Sequence, residues 1–180
     1  ALMIGIKVAG VFTNPDSHSG RGQKLKATPV KEFAIGQGLE VFTPVKLGQS
    51  EENIIDDLDP DIIVLAAYGK LIPPPILKIP RLGCLNVHPS ILPRHRGASP
   101  VASAILAGDG IGGISLIKMD EGLDTGPIIA QQEISIRRGI DTPELTKELF
   151  ILGGRLLADV LPEYVAGNII PKAQSGIGVT

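Results

Sequence analysis

The chain has 180 residues, of which 43% are hydrophobic, and its formal net charge at pH 7 is −2. This length predicts one large domain or a compact part of a longer chain, and so small a charge excludes a global field that would recruit nucleic acid. One cysteine excludes an internal disulfide and suits a reducing cytosol, so a cytoplasmic location is expected. No metal-ligand spacing and no apolar run near the roughly 20 residues that cross a bilayer occur, so neither a metal nor a membrane is expected.

In chain order, apolar strands alternate with helices through the first half of the sequence. Residues 6–12 (IKVAGVF) are apolar nearly throughout, which predicts a buried strand. The polar, basic stretch 13–31 predicts a long loop, and such loops inside a compact domain are usually functional or disordered. The predicted elements that follow are a helix at 29–38, a strand at 39–45, a helix at 51–58 and a strand at 61–69.

The second half continues the alternation. Strands are predicted at 83–90, 113–122 and 130–136, and a helix at 99–109. A last helix is expected to begin with Asp141 or Thr142 as its N-cap and Pro143 in its first turn. Strands that are apolar on both faces and alternate with helices indicate an open, mostly parallel α/β sheet. The last helix carries one apolar stripe, formed by Leu145, Leu149, Leu152, Leu156 and Val160.

One glycine motif imitates a nucleotide-binding signature. Residues 108–113 (GDGIGG) fit the spacing of a dinucleotide fingerprint. That fingerprint must follow a strand and open a helix, so that the pyrophosphate meets the helix N-terminus. Here the motif follows a predicted helix and leads into a predicted strand, so we interpret it as a turn.

The end of the strand at 83–90 carries Asn86 and His88. Residues two apart in a strand face the same way, so these side chains should project together. The loop 119–127 (MDEGLDTGP) follows the next strand and is expected at the same carboxyl edge of the sheet, where open α/β sheets bind ligands. Its acids, Asp120, Glu121 and Asp124, are the ones expected to reach His88.

These residue types suit a reaction in which the substrate is itself the nucleophile, since no serine or cysteine nucleophile accompanies them. An asparagine N–H can stabilise a developing oxyanion. A histidine moves protons near neutral pH, and an adjacent carboxylate orients it. The alternative, that Asn86 and His88 are ordinary hydrogen-bonded residues at a strand end, stays open from these residues alone.

Two segments bear a specific resemblance to a known family. Residues 85–100 (LNVHPSILPRHRGASP) and 122–128 (GLDTGPI) resemble the folate-dependent formyltransferases, which place an aspartate 36 residues beyond the histidine, as Asp124 lies beyond His88. Residues 10–25, 29–31 and 66–73 resemble the methionyl-tRNA formyltransferase family in particular. The resemblance implies a three-layer Rossmann-like fold and transfer of the formyl group of 10-formyltetrahydrofolate to initiator methionyl-tRNA in a bacterial-type cytoplasm, with an organelle not excluded.

By that resemblance Asn86, His88 and Asp124 form the catalytic triad. Asn86 and His88 would bind the oxyanion, His88 would protonate the leaving nitrogen of the folate, and Asp124 would orient His88. The resemblance also implies a folate site, formed by Ser90, Ile91, Leu92, Pro93, Tyr68, Gly69, Lys70, Leu71, Ile72, Asp120 and Leu123.

Basic side chains are expected to contact the tRNA. The loop contributes Arg21, Lys24 and Lys26, and Arg94 and Arg96 lie beside the predicted catalytic strand. Arginine and lysine bind phosphates, although a basic run is more often a solvated surface. His18 and His95 are predicted to be surface residues, and Cys84 a small packing residue.

The resemblance also implies parts beyond residues 1–180. Family members begin with an upstream strand and end with a C-terminal β-barrel domain that binds tRNA, so this chain is expected to be an incomplete catalytic domain that does not fold alone. Two alternatives remain from the sequence. One is a formyltransferase for another amine, such as glycinamide ribonucleotide or an amino sugar. The other is an inactive fragment that binds folate or RNA.

Overall fold

The computed structural model describes residues 6–19 and 24–175. The chain divides into two compact units. The first comprises Ala1–Pro60 and Lys70–Ile79, and the second comprises Asp61–Gly69 and Pro80–Thr180. Across the described residues, we find no helix with the length and apolar character needed to span a membrane.

The first unit contains short strands and three helices. In chain order these are β1 (Val11–Phe12), β2 (Ser17–Ser19), β3 (Lys24–Lys26), α1 (Pro29–Gly36), β4 (Val41–Phe42) and α2 (Gln49–Asp57). The third helix, α3 (Pro74–Lys78), also belongs to this unit and follows residues 61–69, which belong to the second unit. β1 pairs with β4 in parallel, and the rings of Phe12 and Phe42 stack at 4.7 Å between centroids. The strand predicted at 6–12 is therefore limited to its last two residues.

The basic stretch predicted as one long loop contains a β-ribbon. β2 and β3 pair antiparallel, with Ser17 opposite Lys26. The ribbon leads into α1, where Thr28 is the N-cap and its Oγ1 accepts a hydrogen bond from the backbone N–H of Lys31 at 3.1 Å. Proline occupies the first turn of α1, a position that needs no N–H donor.

The second unit is built on one four-stranded sheet. Its elements are β5 (Ile63–Ala66), β6 (Cys84–His88), α4 (Pro100–Leu106), β7 (Ile111–Lys118), β8 (Ile128–Ser135) and α5 (Thr142–Val165). The strand order is β5-β6-β7-β8. The predicted α/β class is confirmed, and each of these elements overlaps the one predicted for its segment.

The direction of β7 differs from the expectation of a mostly parallel sheet. β5 pairs with β6 in parallel, but β6–β7 and β7–β8 are antiparallel, so this sheet is mixed. Antiparallel neighbours need no crossover helix, and the loop 119–127 joins β7 to β8 directly. Lys118 pairs with Leu85 at the amino end of β6. The prediction that this loop leaves the sheet at the carboxyl edge of β6 is therefore wrong.

α5 covers one face of the sheet. Asp141 is its N-cap, and its Oδ1 accepts a hydrogen bond from the N–H of Glu144 at 2.8 Å. Gly153 allows the close approach, since a Cβ there would lie 2.7 Å from Val87 Cγ1. Leu145 and Leu149 of the predicted stripe are buried, and its other members are half-buried.

The glycine motif at 108–113 begins as a turn, as predicted, and its last three residues are the start of β7. Gly108 has a φ of +68° just after α4, and the motif leads into β7. The structural setting of a dinucleotide fingerprint, a strand before it and a helix after it, is reversed here.

Candidate active site

Asn86 and His88 lie at the carboxyl end of β6, on the face of the sheet opposite α5. Val87 between them packs toward α5, as strand parity requires. In the register with β7, His88 lies opposite Ser115, which is also buried. Only 3% of His88 is exposed, so its ring nitrogens must find partners within the protein.

Asp124 contacts both side chains. Its Oδ1 accepts a hydrogen bond from Asn86 Nδ2 at 3.2 Å and lies 3.6 Å from His88 Nδ1. Its Oδ2 accepts from the backbone N–H of Gly97 at 2.9 Å. The loop therefore folds back over the sheet after leaving it. The structure brings together the three side chains that the sequence singled out, and their chemical roles remain a prediction.

The loop around Asp124 has an uncommon backbone. Asp124 has a φ of +53°, in the left-handed region that few residues other than glycine adopt. Asp120, predicted as a folate contact, braces the loop by accepting hydrogen bonds from Gly122 N at 3.0 Å and Thr125 Oγ1 at 2.7 Å. Gln174 donates to the backbone oxygen of Asp124 at 2.8 Å.

The second nitrogen of His88 is bound to the backbone. His88 Nε2 lies 3.0 Å from the carbonyl oxygen of His95. A carbonyl only accepts, so Nε2 carries a hydrogen and Nδ1 is left facing Asp124. Nδ1 is therefore the nitrogen with an available lone pair, and protonation there would place an N–H beside the carboxylate.

His95, predicted to lie on the surface, is buried at 9% exposure. Its Nε2 lies 2.7 Å from Asp109 Oδ2, and Arg94 Nη2 lies 2.7 Å from Asp109 Oδ1. These contacts, the hydrogen bond from His95 foremost, lower the pKa of the Asp109 carboxyl from its ordinary value. The surface prediction fails because Asp109, 14 residues away along the chain, supplies a partner that periodicity cannot reveal.

The turn Ser90–Pro93 is held from β7 and β8. Ser115 Oγ donates to the carbonyl of Ser90 at 2.6 Å and accepts from the N–H of Leu92 at 3.1 Å. Gln131 Nε2 donates to Ser115 Oγ at 2.8 Å and to the carbonyl of Leu92 at 3.0 Å. Sequence reasoning missed both residues. The available signal was Ser115, a lone hydroxyl within the apolar run of β7.

Other predicted folate contacts are divided between the two units. Tyr68 and Gly69 belong to the second unit, whereas 70–72 belong to the first, where Lys70 Nζ donates to the carbonyl of Pro44 at 2.8 Å. Leu123 is 61% exposed beside Asp124. Ile91 is half-buried and lies against the backbone of Gly113, whose added Cβ would collide with it. Their roles in binding remain a prediction.

The predicted tRNA contacts have different environments. Lys24 and Lys26 are exposed on β3, and Arg21 lies outside the described residues. Arg94 forms the ion pair with Asp109. Arg96 Nε and Nη2 donate to Gln174 Oε1 at 3.2 and 2.6 Å.

Cys84 is buried, as expected of a packing residue, and burial raises the pKa of its thiol to about 11.

An open cavity of about 520 Å³ borders the turn at Leu92 and Pro93. β8 and the segment 168–175 form its other walls, and the lining is mainly aliphatic. Asn86, His88 and Asp124 do not line this cavity. The candidate site is therefore located by the convergence of polar side chains and not by the cavity.

Comparison with known proteins identifies the family of the chain. A family model described as formyl transferase matches residues 3–161. The chain belongs to the formyl transferase family. Its fold resembles glycinamide ribonucleotide transformylase 1 from Symbiobacterium toebii, with a TM-score of 0.75, 20% identity and 92% of each chain covered. This confirms the predicted Rossmann-like formyltransferase fold.

Curated relatives are more similar in sequence. Methionyl-tRNA formyltransferase of Halorhodospira halophila is 45% identical over 176 residues, which cover 98% of this chain and 57% of the relative. The enzyme of the same name from Dehalococcoides mccartyi is 46% identical over 161 residues, covering 89% and 52%. The chain thus spans about half the length of the curated relatives it matches.

Proposed function

We propose that this chain carries the catalytic part of a methionyl-tRNA formyltransferase. The enzyme would transfer the formyl group of 10-formyltetrahydrofolate to the α-amino group of initiator methionyl-tRNA. The observation that carries the proposal is the contact of Asn86 and His88 with Asp124, in a chain 45% identical to an enzyme of that name. The folate is supported by a fold neighbour, the formyltransferase PseJ from Anoxybacillus kamchatkensis, which was crystallised with tetrahydrofolate.

The attack needs no strong base. A free α-amino group has a pKa of about 7.7–8.0, so a useful fraction is neutral at pH 7. Its lone pair adds to the formyl carbon, and the carbonyl electrons move to the oxygen, which becomes an oxyanion. Asn86 uses one Nδ2 hydrogen for Asp124, and the second can donate to this oxyanion.

The intermediate then collapses with loss of the folate nitrogen N10. The oxyanion re-forms the carbonyl as the bond between the formyl carbon and N10 breaks. The attacking amine passes its proton to His88 Nδ1 through Asp124 or water, and N10 takes this proton from Nδ1, while the Nε2 hydrogen stays on Nε2 and remains donated to the carbonyl of His95. Asp124 keeps the ring in place throughout. His88 is thereby left with Nδ1 unprotonated, as in the starting state.

The partner of this reaction is the initiator methionyl-tRNA. Exposed Lys24 and Lys26, with Arg21 and Arg94, would contact its phosphates. The sequence resemblance adds a C-terminal tRNA-binding domain in the full-length protein. We propose that the enzyme acts in the bacterial cytoplasm, where the charged initiator tRNA is made.

The deciding experiment is an acceptor screen with the full-length protein and 10-formyltetrahydrofolate. Methionyl-tRNA, glycinamide ribonucleotide and an amino-sugar nucleotide are offered separately, and formyl transfer is measured. Transfer to methionyl-tRNA alone is expected. Preferential transfer to either small amine would overturn the assignment of methionyl-tRNA as the acceptor. Folate binding without transfer to any of them would favour the alternative of an inactive protein that binds folate.

A further inference from the structure

Gln174 makes four hydrogen bonds with a single amide group. Its Nε2 donates to the carbonyl oxygens of Asp124 and Gly126, each at 2.8 Å, and its Oε1 accepts from Arg96 Nε and Nη2. An amide has two hydrogens and two lone pairs, so all are used here. If the oxygen and nitrogen of this amide exchanged places, its oxygen would face two carbonyl oxygens and its N–H groups would face the guanidinium of Arg96. The amide therefore has one productive orientation.

This amide joins three distant parts of the second unit. Arg96 follows His95, whose carbonyl accepts from His88 Nε2, and Asp124 and Gly126 belong to the β7–β8 loop. Gln174 lies in the segment after α5, where Lys172 exchanges two backbone hydrogen bonds with Ile128 at 2.7 and 2.8 Å. The segment is therefore anchored beside β8, two residues before Gln174.

The contacts act on Asp124 from its backbone side. The carboxylate is held by Asn86 and Gly97, while its carbonyl, in the uncommon left-handed conformation, is held by Gln174. Such a backbone conformation persists only where surrounding contacts determine it. Without Gln174, the carbonyl of Asp124 loses the hydrogen bond that fixes the orientation of its peptide.

We infer that Gln174 and Arg96 are positioning residues that hold the Asp124 loop in its catalytic geometry, an inference that rests on the proposed function. Arg96 orients the amide of Gln174, and Gln174 orients the peptide of Asp124. Neither side chain touches the reacting atoms. The geometry points to a structural duty for Arg96, in place of the phosphate contact expected from the sequence.

The hydrogen bonds from Arg96 to Gln174 and from Gln174 to Asp124 and Gly126 are called the clamp below. The variant Gln174→Glu, made in the full-length protein, tests the hydrogen bonds that Gln174 donates. Its carboxylate still accepts from Arg96, but it faces two carbonyl oxygens with acceptors, since ionised glutamate has no donor. We expect kcat to fall roughly tenfold to a hundredfold, the scale of a small misplacement in an active site, with KM for 10-formyltetrahydrofolate changed less. Asn168→Ala is the matched control, because it removes an amide hydrogen bond to Glu163 in the same segment and leaves the loop untouched.

Amide hydrogen exchange at Gly97 gives a second measurement that needs no activity. Its N–H donates to Asp124 Oδ2, so displacement of the loop should speed its exchange in Gln174→Glu and not in Asn168→Ala. Wild-type kcat together with wild-type protection of Gly97 would overturn the inference. Absence of transfer in the unmodified protein would instead refute the proposed function, and Gly97 exchange would still decide about the clamp.

A further variant, Arg96→Lys, separates positioning from tRNA binding and serves if Gln174→Glu fails to fold. Lysine loses the two-pronged donor to Gln174. A lower kcat with faster Gly97 exchange is expected. A raised KM for methionyl-tRNA, with unchanged kcat and unchanged Gly97 exchange, would assign Arg96 to phosphate contact and contradict the clamp.

Discussion

The face of β6 and the β2–β3 ribbon carry two kinds of polar side chain. Around β6, the side chains of Asn86, His88 and Asp124 are largely buried, and their contacts hold them in one geometry. On the ribbon, Lys24 and Lys26 are exposed. The difference corresponds to two tasks, because bond-making requires fixed atoms, whereas a polyanion is attracted by charge at a distance. Substitutions should therefore have large, geometry-dependent effects on the first region and small, salt-dependent effects on the second.

The strongest test of the fixed region is Asn86→Ala. Loss of one oxyanion donor should lower kcat by roughly 10²–10³, with a smaller change in folate affinity. Steady-state kinetics of formyl transfer measure both. The substitution also removes one donor to Asp124. An Asn86→Asp variant keeps the size of the side chain but loses the same N–H donors, so it should be at least as impaired. Turnover within a factor of two of the unmodified enzyme would assign the oxyanion to another group.

A second test is Ser115→Ala, which removes the hydroxyl that holds the Ser90–Pro93 turn. The buried N–H of Leu92 and carbonyl of Ser90 lose their partner, and each unsatisfied group costs about 1–3 kcal/mol. We expect a lower free energy of unfolding in urea and a higher KM for folate. Ser135→Ala, at the exposed end of β8, is the control and should change neither quantity. Equal effects of the two substitutions would show that the turn does not depend on Ser115.

A smaller effect on the free energy of unfolding is expected at low pH, where Asp109, the partner of His95, becomes protonated. The pKa of Asp109 is lowered in the folded protein, chiefly by the His95 hydrogen bond. The folded state then favours the ionised carboxylate. This contribution to stability is present above the ordinary carboxyl pKa and is lost as pH falls through the lowered value. Asp109→Asn should therefore show a shallower loss of unfolding free energy as pH falls below the ordinary carboxyl pKa of 3.8, and identical slopes would contradict the assignment.

The smallest effect is expected on the ribbon. Lys24→Ala should reduce the salt dependence of tRNA binding by about one phosphate contact and leave kcat and folate affinity unchanged. Filter binding across a series of salt concentrations gives the slope. Lys147→Ala, on α5, is a control of equal charge change. A raised KM for folate with an unchanged salt slope would place the ribbon at the folate site.

Local rules in the sequence predicted a large part of this molecule. Strand parity predicted that Asn86 and His88 share a face. The capping rule named Asp141 or Thr142, of which Asp141 is the cap, and the setting of the glycine motif at 108–113 predicted a turn in place of a strand–helix junction. The family motif singled out Asp124. Each of these depends on residues close together along the chain, or on a motif read as a unit.

Tertiary structure alone decided the direction of β7 and the path of the loop that follows it. The same apolar pattern suits a parallel and an antiparallel strand, so periodicity cannot distinguish them. It also decided the partners of the buried polar groups. Gln174 and Arg96 are 78 residues apart, and Ser115 lies 25 residues from Ser90. The chain by itself specifies which side chains need a partner, but the partner is chosen by packing, which brings distant segments within hydrogen-bond distance.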